Sequence, residues 1–325
     1  MTDPIKSEIA PAGTRRLDQA ARAAWLYYIA GNTQDEIATK LGLSRPGAQR
    51  LIALAQTEKL IRFRIDHPIV ACMELAERLT ERFKLDYCEV VPSDPAKPGH
   101  VAGLAAAASV VIDRYLSERA PQILTFGTGR TLRATIREVS PTDQPQHKVV
   151  SVVGNLTRDG RATPYDVVIR LADRVGAQCF PLPMPLIAES REQRTFLHAQ
   201  HWAEVVMEMA SAAKVSFFGV GPIGWNAPLH IDGFIKDAEL AELIELGAVG
   251  EIAGWAYDTD GRIVEGGTND RVTALPPHQP PGNLTIGIAA GENRAPAIRA
   301  ALKGRLLTGL ITDEAAAAAI LSAVP

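Results

Sequence analysis

The 325-residue sequence predicts an α/β protein with a separate helical head. Three observations carry that reading. Two short helical patterns meet across a Gly-Leu-Ser turn within residues 31–52, "GNTQDEIATKLGLSRPGAQRLI". Beyond residue 88, short β-rich runs alternate with helical stretches, the rhythm of a parallel sheet covered by helices. Charge is also uneven. The chain's net charge is −3, yet residues 1–66 hold ten Lys/Arg against seven Asp/Glu, and residues 37–65 hold six against one. A basic segment on an acidic body is expected where one end of a chain meets phosphate.

Residues 1–16, with Pro4, Pro11 and Gly13, are expected to form a mobile leader, and residues 17–66 the head. The stripe Leu17, Ala21, Ala24, Trp25, Tyr28 and Ile29 predicts a first helix, ended by Gly31. Thr33-Gln34-Asp35-Glu36 reads as a capping box, in which the Thr hydroxyl and Glu carboxylate satisfy free amides at a helix start. The second helix turns Ile37, Ala38 and Leu41 inward and stops at Gly42, where a left-handed backbone is easy. Leu43 points inward and Ser44 caps a third helix from Arg45, with Ala48, Leu51, Ile52 and Ala55 on its inner face. Pro46 falls in the first turn, where the missing amide hydrogen costs nothing. This is helix-turn-helix architecture.

Arg45, Gly47, Gln49 and Arg50 face outward, and Arg and Gln can bind base edges in bidentate fashion. Thr33, Gln34, Ser44 and Pro46 complete the surface expected to meet double-stranded DNA; a plain helical hairpin is the bland alternative. "LIRFRID" (60–66) predicts a short strand with one cationic face. Residues 67–87 predict an amphipathic linker helix whose Val70, Met73, Leu75, Leu79 and Phe83 offer a contact to a second chain, as a dimer or tetramer.

Residues 88–325 predict a Rossmann-like, mostly parallel sheet. Strand runs "YCEVVP", "QILTF", "KVVSVV", "AQCFPLP", "KVSFFGVG", "LTIGIAAG" and "LLTGLITD" alternate with helices near 100–119, 130–139, 164–174, 190–212, 237–246 and 294 onward, before a final Ala-rich helix. Ligands of such sheets bind beyond the carboxyl ends of the strands. Four loops there are rich in glycine and hydroxyls. "FGTGRTL" brings Gly127, Thr128, Gly129, Arg130 and Thr131 to a helix start suited to phosphate. "VVGNLTRDG" brings Gly154 and Asn155, "FGVGPIG" Gly219 and Gly221, and "AAGENRAPAI" Gly291 and Arg294. "WAYDTDGRIVEGGTNDRV" (255–272) predicts a β-hairpin, with Asp258 and Asn269 either binding sugar hydroxyls or forming turns.

Other chemistries fade. Gly219-Val-Gly221-Pro-Ile-Gly224 matches a dinucleotide fingerprint literally, but Pro222, Trp225, Asn226 and Pro228 interrupt the helix that fingerprint requires. His198 and His201 have metal-ligand spacing without a third ligand, and no serine sits in a nucleophile elbow. No cofactor or metal is therefore expected, and no catalytic residue is assigned. Cys72, Cys88 and Cys179, an odd and sparse set, fit a reducing cytoplasm rather than a disulfide framework. No signal peptide and no span of 18 uncharged apolar residues is evident.

With these motifs in order, the chain resembles SorC/DeoR-type sugar-binding transcriptional regulators from about residue 17 to 322. "TQDEIATKLGLSRPGAQRLI" is similar to that family's DNA-binding head. "FGTGRTL", "VVGN", "FGVGPIG", "LGAVGEIAGWAYDTDG" and "GENRAPAIRAALKGRLLTGLITDEAAAAAIL" match its effector domain. The resemblance implies a domain akin to sugar-phosphate isomerases and deaminases that has become a sensor for a sugar, polyol or sugar phosphate. It implies that Gly127–Thr131 contact phosphate, that Asp258 holds sugar hydroxyls, and that Gly291 and Arg294 line the far side. Arg294 stands where the family usually has lysine. The alternative function is a sugar-phosphate isomerase or deaminase with a fused helical domain, for which Asp258 is the only evident general base and no partner acid is apparent.

Overall fold

The protein is described by a computed structural model covering residues 12–61, 69–94, 96, 99–157, 160–163, 165–277 and 281–322. Most of the expected leader, and the "LIRFRID" strand beyond Ile61, lie outside these residues. The chain divides into two compact units, Met1–Pro68 and Ile69–Pro325.

The first unit is three helices: α1 (Ala12–Tyr28), α2 (Gln34–Leu41) and α3 (Arg45–Thr57). The capping box at α2 forms as expected, Glu36 N–H donating to Thr33 Oγ1 at 3.3 Å and Thr33 N–H to Glu36 Oε2 at 2.7 Å. Gly42 ends α2 at φ 66°, and Ser44 caps α3 by accepting from Gly47 N–H. Ala23, Ile37, Ala38, Ala48 and Ile52 form the core of the unit. The inner face of α1 differs from expectation. Ala20, Ala23 and Ala24 are buried, whereas Leu17, Trp25 and Ile29 are 37%, 57% and 70% exposed. Helices that approach closely need small side chains at the contact, so the alanines face α3 and the bulkier i, i+4 line is left outside.

The second unit begins with α4 (Val70–Phe83) and continues through β1 (Tyr87–Val91), α5 (Ala102–Leu116), β2 (Ile123–Phe126), α6 (Arg130–Glu138), β3 (Lys148–Ser151), α7 (Val168–Val175) and β4 (Gln178–Phe180). After α8 (Arg191–His198) and α9 (His201–Ser211) come β5 (Val215–Gly219), β6 (Gly221–Pro222), α10 (Pro228–Ile231), α11 (Asp237–Glu245), β7 (Gly250–Ile252) and β8 (Trp255–Tyr257). The unit closes with β9 (Leu284–Ile288), α12 (Ala295–Lys303), β10 (Gly309–Asp313) and α13 (Glu314–Ser322). Seven strands form one parallel sheet in the order β1-β10-β9-β5-β2-β3-β4, and β6-β7-β8 form a small antiparallel sheet. Phe126 and Phe217 stack at the sheet centre, 5.2 Å between ring centroids, in a core that includes Leu124, Leu132, Val149, Ile286 and Ile288.

Three expected elements take a different form. The expected linker helix α4 falls in the second unit, where Leu79 is fully buried and Leu75 and Phe83 pack on the same cluster as Ala316, Ala317 and Ile320. The stripe offered to a second chain is thus partly taken up within this one, while Val70 and Met73 stay 66% and 47% exposed. The expected helix at 190–212 breaks at Ala199–Gln200, with His198 Nε2 2.9 Å from Thr273 O just before the break. The expected hairpin at 255–272 shrinks to β8 and one bridge, Tyr257 to Ile263, because residues 267–271 coil into a 3₁₀ turn.

Cys72, Cys88 and Cys179 are free thiols. Burial pushes Cys88 up to about 12 and Cys72 and Cys179 up to about 11, so all three stay protonated near neutral pH. No helix among the described residues is long and apolar enough to cross a membrane.

Candidate effector pocket and DNA-reading helix

The sheet order dictates where a ligand can sit. From β2 the chain steps outward through β3 and β4, then returns to place β5 on the other side of β2. The loops leaving β2 and β5 therefore diverge, and a crevice opens at that switch point. Gly127 N–H still donates to Phe217 O at 2.9 Å, tying the two strand ends together just below the opening. A cavity of about 100 Å³ lies there, lined by Gly127–Leu132 from the first loop and Phe218–Gly221 from the second.

Gly129 adopts φ 130° as the N-cap of α6, a conformation open to glycine and unfavourable for other residues. It starts α6, whose first amides lack intrahelical acceptors, at residues that line the cavity. Thr128 Oγ1 donates to Tyr165 O at 2.8 Å, and the Arg130 guanidinium lies 4.9 Å above the Tyr165 ring. Arg130 Nη2 also meets Asp232 Oδ1 at 2.6 Å. Across the cavity, Arg294 donates from Nη1 to Ala290 O at 2.7 Å. Burial first, and then the nearby Arg130 charge, push Arg294 below its ordinary value, with Asp313 pulling the other way. Two guanidiniums thus share one crevice.

Glu251 on β7 supplies the opposite chemistry. Its Oε2 accepts from Gly254 N–H at 2.9 Å, and burial raises its carboxyl pKa. A β-carbon on Gly221 would overlap Glu251 Oε1 and displace that carboxylate from its present place in the lining.

The expected residues divide sharply. Gly127, Thr128, Gly129, Arg130, Thr131, Gly219, Gly221 and Arg294 line the one cavity. Gly154 packs beneath the carbonyls of Met184 and Pro185, and Asn155 Nδ2 donates to Asp166 at 2.9 Å; neither lines it. Gly291 N–H donates to Asp313 Oδ1 and holds the loop rather than the lining. Asp258 Oδ1 accepts from the amides of Asp260 and Arg262 at 2.9 Å each, so its carboxylate forms the turn. Asn269 is buried, its amide bonded to the backbone of Ala256 and Val264. Both are turn and core residues here, because short polar side chains beside a tight loop bond nearby backbone first.

Glu251, Asp232, Tyr165 and Phe218 were missed by sequence reasoning. Glu251 stands inside the quoted "GEIAGWAYDTDG", seven residues before the acid that attracted attention. Asp232 lies in an aperiodic stretch that carries no pattern.

A larger cavity, about 510 Å³, lies beyond Phe218 and shares that side chain with the first. Its hydroxyls are already paired, Thr125 with Ser216 at 2.7 Å and Ser216 with Asn283 at 3.0 Å. It collects no cation, and the smaller crevice is the better polar site. Among the described residues no group of three His, Cys, Asp or Glu could hold a metal, and His198 is bonded to backbone.

On the head, Arg45, Gln49 and Arg50 are exposed along α3. Arg45 lies 3.6 Å from Asp35, both widely exposed, and Arg50 Nε donates to Pro46 O at 3.3 Å. Thr33 and Ser44 have their side-chain oxygens on helix amides, Gln34 is half-buried, and Pro46 is exposed.

Residues 67–322 match the family model "Putative sugar-binding domain". The chain is 34% identical over 302 residues to the erythritol catabolism regulatory protein EryD of Brucella abortus, covering 93% of this chain and 96% of that one. The chain belongs to the SorC/DeoR family of sugar-binding transcriptional regulators. The transcriptional regulator LsrR of Escherichia coli K12 is 31% identical over 326 residues, covering 97% of this chain and 98% of its own. The full-length sorbitol operon regulator SorC from Klebsiella pneumoniae has the same fold, with a TM-score of 0.70 at 20% identity, over 95% of this chain and all of that one. As a SorC/DeoR member with regulators as full-length relatives, the chain is a sugar-responsive transcriptional regulator and not an enzyme. The isomerase or deaminase alternative is set aside on that ground.

Proposed function

We propose that this regulator responds to a small sugar or polyol bearing a phosphate-like anion, bound in the switch-point crevice, and that binding alters its hold on operator DNA. One observation carries the reading: Arg130 and Arg294 converge on the same small cavity beside the free amides of α6. Like charges in one crevice favour an anionic ligand, and guanidinium forks suit phosphate oxygens. Glu251 accepts hydroxyls from the carbon skeleton. Arg45, Gln49 and Arg50 read base edges, and paired heads in a dimer or tetramer read two half-sites. A protein that reads chromosomal operators works in the cytoplasm.

The relative named for erythritol catabolism makes four-carbon polyols and their phosphates the first compounds to test. A thermal-shift panel of phosphorylated and free forms decides the matter, since ligands raise stability by mass action. Phosphorylated forms are expected to raise Tm, with Arg294→Ala weakening the response by about 1.5–3 kcal/mol, as for a hydrogen bond to a charged group. DNA binding without ligand should be unchanged. A shift only with uncharged polyols, retained in the alanine variant, would sink the anion reading.

A further inference from the structure

We infer that Asp232 is an autoinhibitory anion: its carboxylate occupies Arg130 in the unliganded protein and must leave before a ligand anion can take its place. The inference rests on the anion-site reading above. Arg130 is the first helical residue of α6, and its guanidinium is held over Tyr165 with Nη2 2.6 Å from Asp232 Oδ1. The carboxylate is 17% exposed and lines the crevice together with Arg130 and Arg294. A ligand phosphate directed to the same guanidinium meets a carboxylate already in hydrogen-bond contact. Two anions cannot share that fork closely without strong repulsion.

Asp232 is also an anchor. It directly follows α10, in a stretch whose Pro228, Leu229 and Phe234 line the crevice. Its own backbone amide donates back to Pro228 O, so the carboxylate and α10 move as one piece. Further along, His230 bonds to Trp225 O at 2.9 Å and to Asp237 at 2.8 Å, which keeps residues 225–237 a connected segment. Arg130 is thus where the phosphate-facing loop grips this wall. Binding an anion at Arg130 and gripping Asp232 are mutually exclusive, so each opposes the other by the same factor.

The test titrates inorganic phosphate into the full-length protein by calorimetry, using wild type, Asp232→Asn, Arg130→Gln and the double variant. Asp232→Asn is expected to tighten phosphate binding about three- to tenfold, the scale of a partly exposed ion pair plus relieved repulsion. In the Arg130→Gln background the same change should give no gain, because the competitor has nothing left to occupy. Hydrogen exchange supplies a second readout: amides of 225–234 should exchange faster in Asp232→Asn, and in wild type on adding phosphate. Asp232→Ser serves if the asparagine variant fails to fold.

Equal or weaker phosphate binding by Asp232→Asn overturns the inference and points to Asp232 as a ligand group. An equal gain with and without Arg130 also overturns it, reducing the effect to a general field. If wild type and every variant ignore phosphate while an uncharged polyol still raises Tm, the anion-site reading falls and takes the inference with it. Phosphate binding by wild type that is unchanged in Asp232→Asn sinks the inference alone.

Discussion

At the scale of single residues, the two sites differ in how their side chains are held. Around the crevice Thr128 Oγ1 is fixed on Tyr165 O and Glu251 on Gly254 N–H. On α3 the residues proposed to read DNA project into solvent, with Gln49 exposed between Pro46 and Arg50. Changing Gln49 or Arg45 to Ala is expected to cost about 1–3 kcal/mol on the cognate operator, the worth of a bidentate base contact, and little on random DNA. Gel-shift titrations at fixed salt on both sequences check this; equal losses on both would demote the residue to a phosphate contact. Gly127–Thr131 and Arg294 were legible because glycine and arginine after an apolar run mark a strand end on the ligand edge. Asp258 was left open between ligand and turn for a physical reason: one acid in a turn looks the same in sequence whether it faces a ligand or its own backbone amides. Asp232 was illegible because only the fold brings it to Arg130, 102 residues away.

Among elements, those with local causes were readable. The capping box, Gly42 and Ser44 place α2 and α3 through contacts within a few residues, and all three form. Elements set by distant neighbours were less so: the break between α8 and α9 has neither Gly nor Pro, and α1 turns its alanines inward only because α3 lies against it. The cap of α2 gives a direct test. Thr33→Ala should cost about 1 kcal/mol of local stability, speeding exchange of the α2 amides about fivefold. The two hydrogen bonds to Thr33, that to its amide first, hold Glu36 below the ordinary carboxylate range. Its contribution is therefore present above that range and is lost as pH falls through the lowered value. Protection of the same amides in the wild type, taken relative to the intrinsic exchange rate at each pH, should fall at acid pH, and the fall should shrink in Thr33→Ala; a fall as large in the variant would show that the box is not its source.

For the whole molecule, a single head of three short helices buries too little surface for tight selection of one operator. Paired heads reading half-sites about 34 Å apart, or multiples of it, supply what one cannot. The working species is expected to be at least a dimer, and light scattering at micromolar concentration should read twice or four times the 34.9 kDa chain mass. A monomer that still selects its operator would sink this expectation. Since Leu79 is buried inside its own unit, changing it should unfold that unit rather than merely separate chains.

The sheet order also has a consequence for how the chain comes off the ribosome. Among the described residues β1, at the start of the second unit, pairs with β10 alone, and β10 ends at Asp313. The helix before it, α4, rests on the cluster completed by α13. A strand near the start of the second unit is thus paired by one more than 200 positions later. Long-range pairing of this kind is slow and leaves a strand edge open meanwhile. The head, with core residues that run only from Ala20 to Ala55, has no such wait. During synthesis, the part that meets DNA can be in shape while the part that senses the effector is still unfinished, and a chain that stops before Gly309 leaves β1 without its neighbour.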